Sequence, residues 1–328
     1  MPKKLLSLKN SKQIPAPQIE TTRVVIVGTG FVGSTSAFAI MMSGIASEIV
    51  LIDVNKDKCL GEAWDLEHGI SFVPQTKIWA GDYSDCKEAD VVVITAGLGQ
   101  KVGQTRLELA SANAKIIKDI IEKIKRYTDK AVILMVTNPL DVMTFVALKK
   151  SGLPDYQVFG TGTTLDSSRF RFLLAQEFGV APDSMGAYLI GEHGDSEVPV
   201  YSHVNLMGEN ISALPEYNKK AVEVAYAKTK TAAYDIICKK GATYYAIALA
   251  VERIVRAILY DENHIFPVSS LLTGQYGLKD VCLSLPTVVG RTGIKKIMEI
   301  KLSSDELAKL RQSAKTIRQT IENLSLRA

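Results

Sequence analysis

The chain has 328 residues, 39 lysines and arginines against 35 aspartates and glutamates, and 47% hydrophobic residues. That is enough apolar material for one large core or two ordinary ones, and it excludes a disordered chain. A net charge of +4 with both signs interspersed is no nucleic-acid footprint. No apolar run reaches the roughly 18 residues of a membrane span, so neither a nucleic acid nor a membrane is expected as a partner.

Residues 1–22 read as an N-terminal arm. The first 19 carry Lys3, Lys4, Lys9 and Lys12 with no acid and no arginine, and Leu5-Leu6-Ser7-Leu8 is too short for a secretory apolar core. Pro15 and Pro17 imply an extended approach to the first strand. Cys59, Cys86, Cys238 and Cys282 lie far apart with no Cys-x-x-Cys spacing. Neither a metal site nor a disulfide framework is expected, and a cytoplasmic setting fits best.

From Arg23 to residue 161, short β-branched runs alternate with helical stretches. Strands are predicted at Val24–Val27, Ile49–Asp53, Lys77–Ala80, Val91–Thr95, Val132–Val136 and Gln157–Phe159. Among the helical stretches are Ser34–Ser43 and Leu107–Tyr127, where Ile116, Ile117, Ile120, Ile121 and Ile124 follow the spacing of one buried face. Strands alternating with helices imply right-handed βαβ units, hence an α/β doubly wound parallel sheet of the Rossmann type over 23–161.

Over 162–328 the pattern changes to α+β. Helices are predicted at Asp166–Phe178, Glu216–Lys239, Tyr244–Leu259 and Asp305–Asn323. The runs Ile265–Leu272 and Val281–Val289, joined by the turn-rich Thr273–Lys279, read as antiparallel neighbours. No repeat or flexible linker separates the two parts, so they are expected to pack closely.

The motif Gly28-Thr29-Gly30-Phe31-Val32-Gly33 follows the first predicted strand and opens a helix, and Asp53 stands 20 residues after Gly33 at the end of the next strand. A glycine triplet alone is weak; in this context it reads as a dinucleotide loop whose backbone approaches a pyrophosphate at a helix N-terminus. Asp53 would accept from the adenosine ribose hydroxyls and repel a 2′-phosphate, favouring NAD over NADP; its ordinary alternative is a turn or cap residue. Thr95-Ala96-Gly97 adds small residues at the edge where a ligand of such a sheet sits.

Four further segments are Gln100-Lys101-Val102-Gly103-Gln104-Thr105-Arg106, Thr137-Asn138-Pro139-Leu140-Asp141, Leu165-Asp166-Ser167-Ser168-Arg169 and Gly191-Glu192-His193-Gly194-Asp195. With the glycine motif they occur in the order found in the L-lactate/malate dehydrogenase family, which the chain resembles from about Arg23 to Leu324, most closely its NAD-dependent L-lactate branch. The resemblance implies reversible hydride transfer between NADH and pyruvate, giving L-lactate, in a homotetramer or, less often, a dimer.

Reducing a 2-oxo acid needs a hydride donor, a proton donor and a hold on the carboxylate. The resemblance makes His193 the acid, Asp166 the group that orients its ring, and Arg169 the two-pronged clamp on the carboxylate. Arg106 would polarise the carbonyl once its loop closes, and Asn138 would bond near the histidine and the nicotinamide carboxamide. Thr243 would bound the methyl pocket and Ile247 would pack under the nicotinamide. Taken singly each residue has an ordinary reading: Asp166 and Arg169, three apart, also suit a solvated helix pair. His68, His203 and His264 are read as ordinary polar positions.

Gln100 stands where the family's malate enzymes carry arginine. A neutral side chain there leaves a second substrate carboxylate unpaired, which favours pyruvate over oxaloacetate unless size is set elsewhere. Malate or a bulkier 2-hydroxy acid is the enzymatic alternative, and a non-catalytic NAD-binding protein the alternative from another class. Val102 replaces a usual proline and Gln104 a frequent glutamate in the loop. Many bacterial relatives bind fructose 1,6-bisphosphate through an arginine and a histidine; Arg171 matches the first, but Gly186 stands at the second, so weak or absent activation is expected.

Overall fold

The computed structural model describes residues 21–99 and 106–324, Arg106 without its side chain. Six strands, β1 (Arg23–Val27), β2 (Glu48–Ile52), β3 (Lys77–Ala80), β4 (Val91–Ile94), β5 (Val132–Met135) and β6 (Val158–Gly160), lie parallel in the order β3-β2-β1-β4-β5-β6. Helices α1 (Phe31–Ser43), α2 (Lys56–His68), α3 (Arg106–Ile124) and α4 (Leu140–Ser151) follow β1, β2, β4 and β5.

The strands are apolar on both faces because helices cover both. Val25, Val27, Val50, Ile52, Val92 and Ile94 point into one core with α3, α4 and α8 (Ser304–Asn323). Their alternates Val24, Ile26, Ile49, Leu51, Val91 and Val93 point into a second core with α1, α2 and α7 (Tyr245–Leu259). This period-two division is the doubly wound arrangement expected from the sequence.

Two helices that the periodicity did not single out have identifiable causes. Ten of the twelve residues of α4 are buried, so no polar face marks it. In α2 only Cys59, Ala63 and Leu66 are buried, a stripe too narrow to stand out, and Asn55 caps it by accepting the Lys58 amide at 3.1 Å.

Beyond β6 come α5 (Thr164–Phe178), the two-residue strands β7 (Met185–Gly186), β8 (Leu189–Ile190), β9 (Val198–Pro199), β10 (Asn205–Leu206) and β11 (Glu209–Asn210), then α6 (Lys219–Lys240) and α7. The predicted hairpin is β12 (His264–Thr273) and β13 (Lys279–Gly290), and it is longer than expected; β14 (Gly293–Ile297), not predicted, extends it. This antiparallel meander does not form a sheet of its own. Ser269 of β12 pairs with Gly160 of β6, so one nine-stranded sheet runs through both parts of the chain.

Candidate active site

The order of the parallel strands reverses direction between β1 and β4, and the loops leaving their carboxyl ends there form the crevice in which such a sheet holds a ligand. From β1 the chain enters the glycine loop. Gly28 has φ +104°, and a Cβ there would lie 2.6 Å from the Ala96 amide nitrogen; one on Gly33 would lie 1.8 Å from the Gly28 carbonyl oxygen. Both close approaches therefore require glycine. A Cβ on Gly30 would meet nothing within 4 Å, which leaves the N-terminus of α1 open. That N-terminus has no side-chain cap and no acid in its first turn, which includes Phe31, Val32 and Gly33. Unpaired amides and a positive dipole end facing open space fit a pyrophosphate.

Asp53, just past β2, accepts the Thr29 amide at 2.6 Å, the Thr29 hydroxyl at 3.1 Å and the Asn55 amide at 2.9 Å. Burial would raise its pKa, but these donors outweigh it and hold the carboxyl below its usual value. It is therefore an anion beside the glycine loop, where a ribose diol fits and a second phosphate does not. On the other side, Thr95 donates to Gly28 O at 2.8 Å, tying β4 to the loop, while Ala96 is half-buried and Gly97 exposed.

Asn138, exposed after β5, is held through its carbonyl, which accepts from the buried Asn113 side chain at 2.7 Å; Asn113 also pairs with both backbone groups of Leu98. Sequence reasoning passed over Asn113, which sits inside a helix with no motif to mark it. Thr243 and Ile247, both half-buried, flank the start of α7. Tyr244 between them stacks on Phe31 of the glycine loop, ring centroids 5.2 Å apart, and so sets this end of α7 against α1.

The remaining groups meet where α5 faces the loop after β8. Asp166, in the first turn of α5 and 5% exposed, accepts from Arg169 Nη1 at 2.9 Å and faces His193 Nδ1 at 2.5 Å. One carboxylate thus orients both the imidazole and the guanidinium, leaving Nε2 of His193 and the rest of the Arg169 fork without a partner among the described residues. Burial lowers the His193 pKa, but the Asp166 carboxylate more than compensates and lifts it to about 9. Asp166 itself is raised by burial and lowered more strongly by His193 and Arg169, so it stays ionised. The outcome is an imidazolium at neutral pH beside a cation, with its side chain 26% exposed.

Two further carboxyls lie close by. Asp141 in α4 is 1% exposed and bonds the His193 backbone; Glu197, 8% exposed, has an Oε1 with no partner among the described residues. Neither was assigned a role from sequence, although Asp141 lies within a quoted motif. Gln100, Val102 and Gln104 fall outside the described residues, as does the Arg106 side chain. Among the described residues no cluster of histidine, cysteine and carboxylate side chains could hold a metal ion.

Residues 22–160 match the family model described as lactate/malate dehydrogenase, NAD binding domain, and residues 163–326 match lactate/malate dehydrogenase, alpha/beta C-terminal domain. Together the two matches span nearly the whole chain. An L-lactate dehydrogenase of a Thermoanaerobacter species is 50% identical over 309 residues, covering 93% of this chain and 99% of that protein. L-lactate dehydrogenase 1 of Clostridium acetobutylicum is 46% identical over 310 residues, with 93% and 99% covered. Among solved structures, a lactate dehydrogenase enzyme from a Medee basin deep-sea metagenome library superposes with TM-score 0.91 at 41% identity, covering 94% of this chain and all of that one. The minor L-lactate dehydrogenase of Enterococcus mundtii gives TM-score 0.91 at 39% identity, with 93% and 98% covered. The fold and site define an NAD-binding oxidoreductase, and the chain belongs to the lactate/malate dehydrogenase family.

Proposed function

We propose that the protein is an NAD-dependent L-lactate dehydrogenase that interconverts pyruvate and L-lactate. The observation that carries this reading is the His193–Asp166–Arg169 constellation: a proton donor and a carboxylate clamp oriented by one buried aspartate, beside a dinucleotide crevice. When bound, NADH supplies the hydride. Arg169 receives the pyruvate carboxylate, which brings the carbonyl oxygen toward Nε2 of His193. His193 gives that oxygen its proton as negative charge develops there, and Asp166 stabilises the imidazolium beforehand without taking the proton. Arg106 polarises the same carbonyl, Asn138 bonds near it, and Thr243 bounds the methyl group. Gln100, neutral, leaves no cation for a second carboxylate.

The cofactor would lie along Gly28, Gly30, Phe31, Val32 and Gly33, with Asp53 on the adenosine ribose, Thr95–Gly97 beneath it and Ile247 against the nicotinamide. In this reading residues 23–161 form the dinucleotide-binding domain and 162–328 the substrate domain, although they share a sheet. A cytoplasmic homotetramer, with a dimer as the alternative, completes it. Exposed Trp64 on α2, Phe38 and Met42 on α1 and Leu249 on α7, all on one side of the sheet, favour subunit contacts there. Light scattering gives the particle mass. Purified protein should oxidise NADH with pyruvate and yield L-lactate; retained NADH binding with no turnover of any 2-oxo acid would transfer the reading to a non-catalytic NAD-binding protein.

A further inference from the structure

Three consecutive amides of the His193 loop are donated to three different elements. The Gly191 N–H goes to the Ser284 carbonyl of β13 at 2.9 Å, and the Glu192 N–H to Ser313 Oγ of α8 at 2.8 Å. The His193 N–H goes to Oδ2 of Asp141, in the first turn of α4, at 2.8 Å. Only the last acceptor is a carboxylate, and its other oxygen accepts from Ser269 Oγ at 2.6 Å. Ser269 is also the β12 residue paired with Gly160 of β6, where antiparallel strands join parallel ones.

An interior carboxylate is an expensive way to hold one amide, since an asparagine would do the same. The charged and titratable groups facing it are His193 and Glu192 from the loop and Cys282 from β13; of these only His193 becomes a cation. Burial pushes Asp141 up to about 7, against the pull of Ser269 and of the His193 amide and ring.

We propose that Asp141 is a positioning residue for the reaction, fixing the His193 backbone against the seam between parallel and antiparallel strands so that the imidazole meets the carbonyl oxygen at a set distance. The inference rests on His193 being the proton donor. It adds a second carboxylate to the histidine's support: Asp166 orients the ring from α5, while Asp141 holds the main chain from α4. A displacement of about an ångström at a reacting group costs up to about a hundredfold in rate, which sets the scale of the effect.

The test compares Asp141→Ala, Asp141→Asn and Ser269→Ala with the parent and His193→Gln, measuring kcat for pyruvate reduction, NADH Kd by fluorescence and the pH profile. Asp141→Ala should lower kcat at least about tenfold with NADH Kd within about twofold of the parent. Asparagine can accept the His193 amide and donate to Ser269, so it should restore most of kcat. It should also move the alkaline limb of pyruvate reduction to lower pH, because one anion that favours the imidazolium is gone. Ser269→Ala, which removes one tie and keeps the carboxyl, should lower kcat a few-fold and serves if Asp141→Ala does not fold. Parental kcat in Asp141→Ala, a parallel loss of NADH binding, or parental kcat and pH profile in Ser269→Ala would overturn the proposal. An inactive parent or an active His193→Gln would instead refute the functional reading itself.

Discussion

Replacing Asp166 by asparagine isolates what its charge does for His193. With its pKa at about 9, His193 is about 97% imidazolium near pH 7.5. Without the carboxylate it falls back toward the ordinary value near 6.5, burial lowering it against the remaining pull of Asp141 and Glu197, and the charged fraction at the same pH drops to about 9%. The loss of protonated enzyme alone is therefore about tenfold. It shrinks to less than about twofold near pH 6, where both proteins are charged. Any remaining deficit at pH 6 measures the lost orientation of His193 and Arg169, since an asparagine oxygen cannot serve both as the carboxylate does. The assay is kcat/KM for pyruvate at saturating NADH from about pH 5.5 to 10, with NADH Kd measured in parallel. A variant whose alkaline limb stays near that of the parent would show that Asp166 is not what keeps the proton on His193.

Other substitutions probe separate parts of the site. Gly33→Ala places a Cβ 1.8 Å from the Gly28 carbonyl oxygen and should abolish NADH binding with a large fall in Tm. Gly30→Ala, whose Cβ meets nothing, should keep the Tm and weaken NADH only by obstructing the phosphates; equal Tm values for the two would contradict the packing described. Burial and the nearby Asp166 charge push Glu197 up to about 8. A carboxyl raised in the folded state stabilises fully below its unfolded pKa, and that contribution disappears as pH rises through about 8. Glu197→Gln should therefore gain Tm relative to the parent as pH is raised from about 6 to 9, with pyruvate turnover near neutrality little changed; a Tm difference independent of pH would refute this. Fructose 1,6-bisphosphate should change the pyruvate KM less than about twofold, because Gly186 brings no side-chain cation to join Arg171 in holding a phosphate. A large drop in KM on adding it would refute that expectation.

What the sequence made legible follows from which features are local. The glycine loop, Asp53 and the strand-helix alternation are short-range patterns, and all reappear in register around one crevice. Asp166 and Arg169 share a helix turn, so their pairing followed from spacing, while the meeting with His193 27 residues away came from the family resemblance. Asp141 was not assigned because its meaning lies in contacts 52 and 128 residues distant, with His193 and Ser269. The joining of β12 to β6 was equally invisible, since antiparallel pairing between distant segments carries no local mark. Helix α4, buried nearly all round, lost its periodicity for the opposite reason: too many of its contacts are satisfied at once.

The central claim is that this constellation reduces a 2-oxo acid with one carboxylate. The measurement that tests it most directly is kcat/KM for NADH oxidation with pyruvate and with oxaloacetate, on the same purified protein at saturating NADH. With Gln100 neutral, pyruvate should be preferred by at least about a hundredfold, the cost of leaving one buried charge unpaired. Equal turnover, or a preference for oxaloacetate, would mean that another cation serves the second carboxylate and would contradict the account of the site.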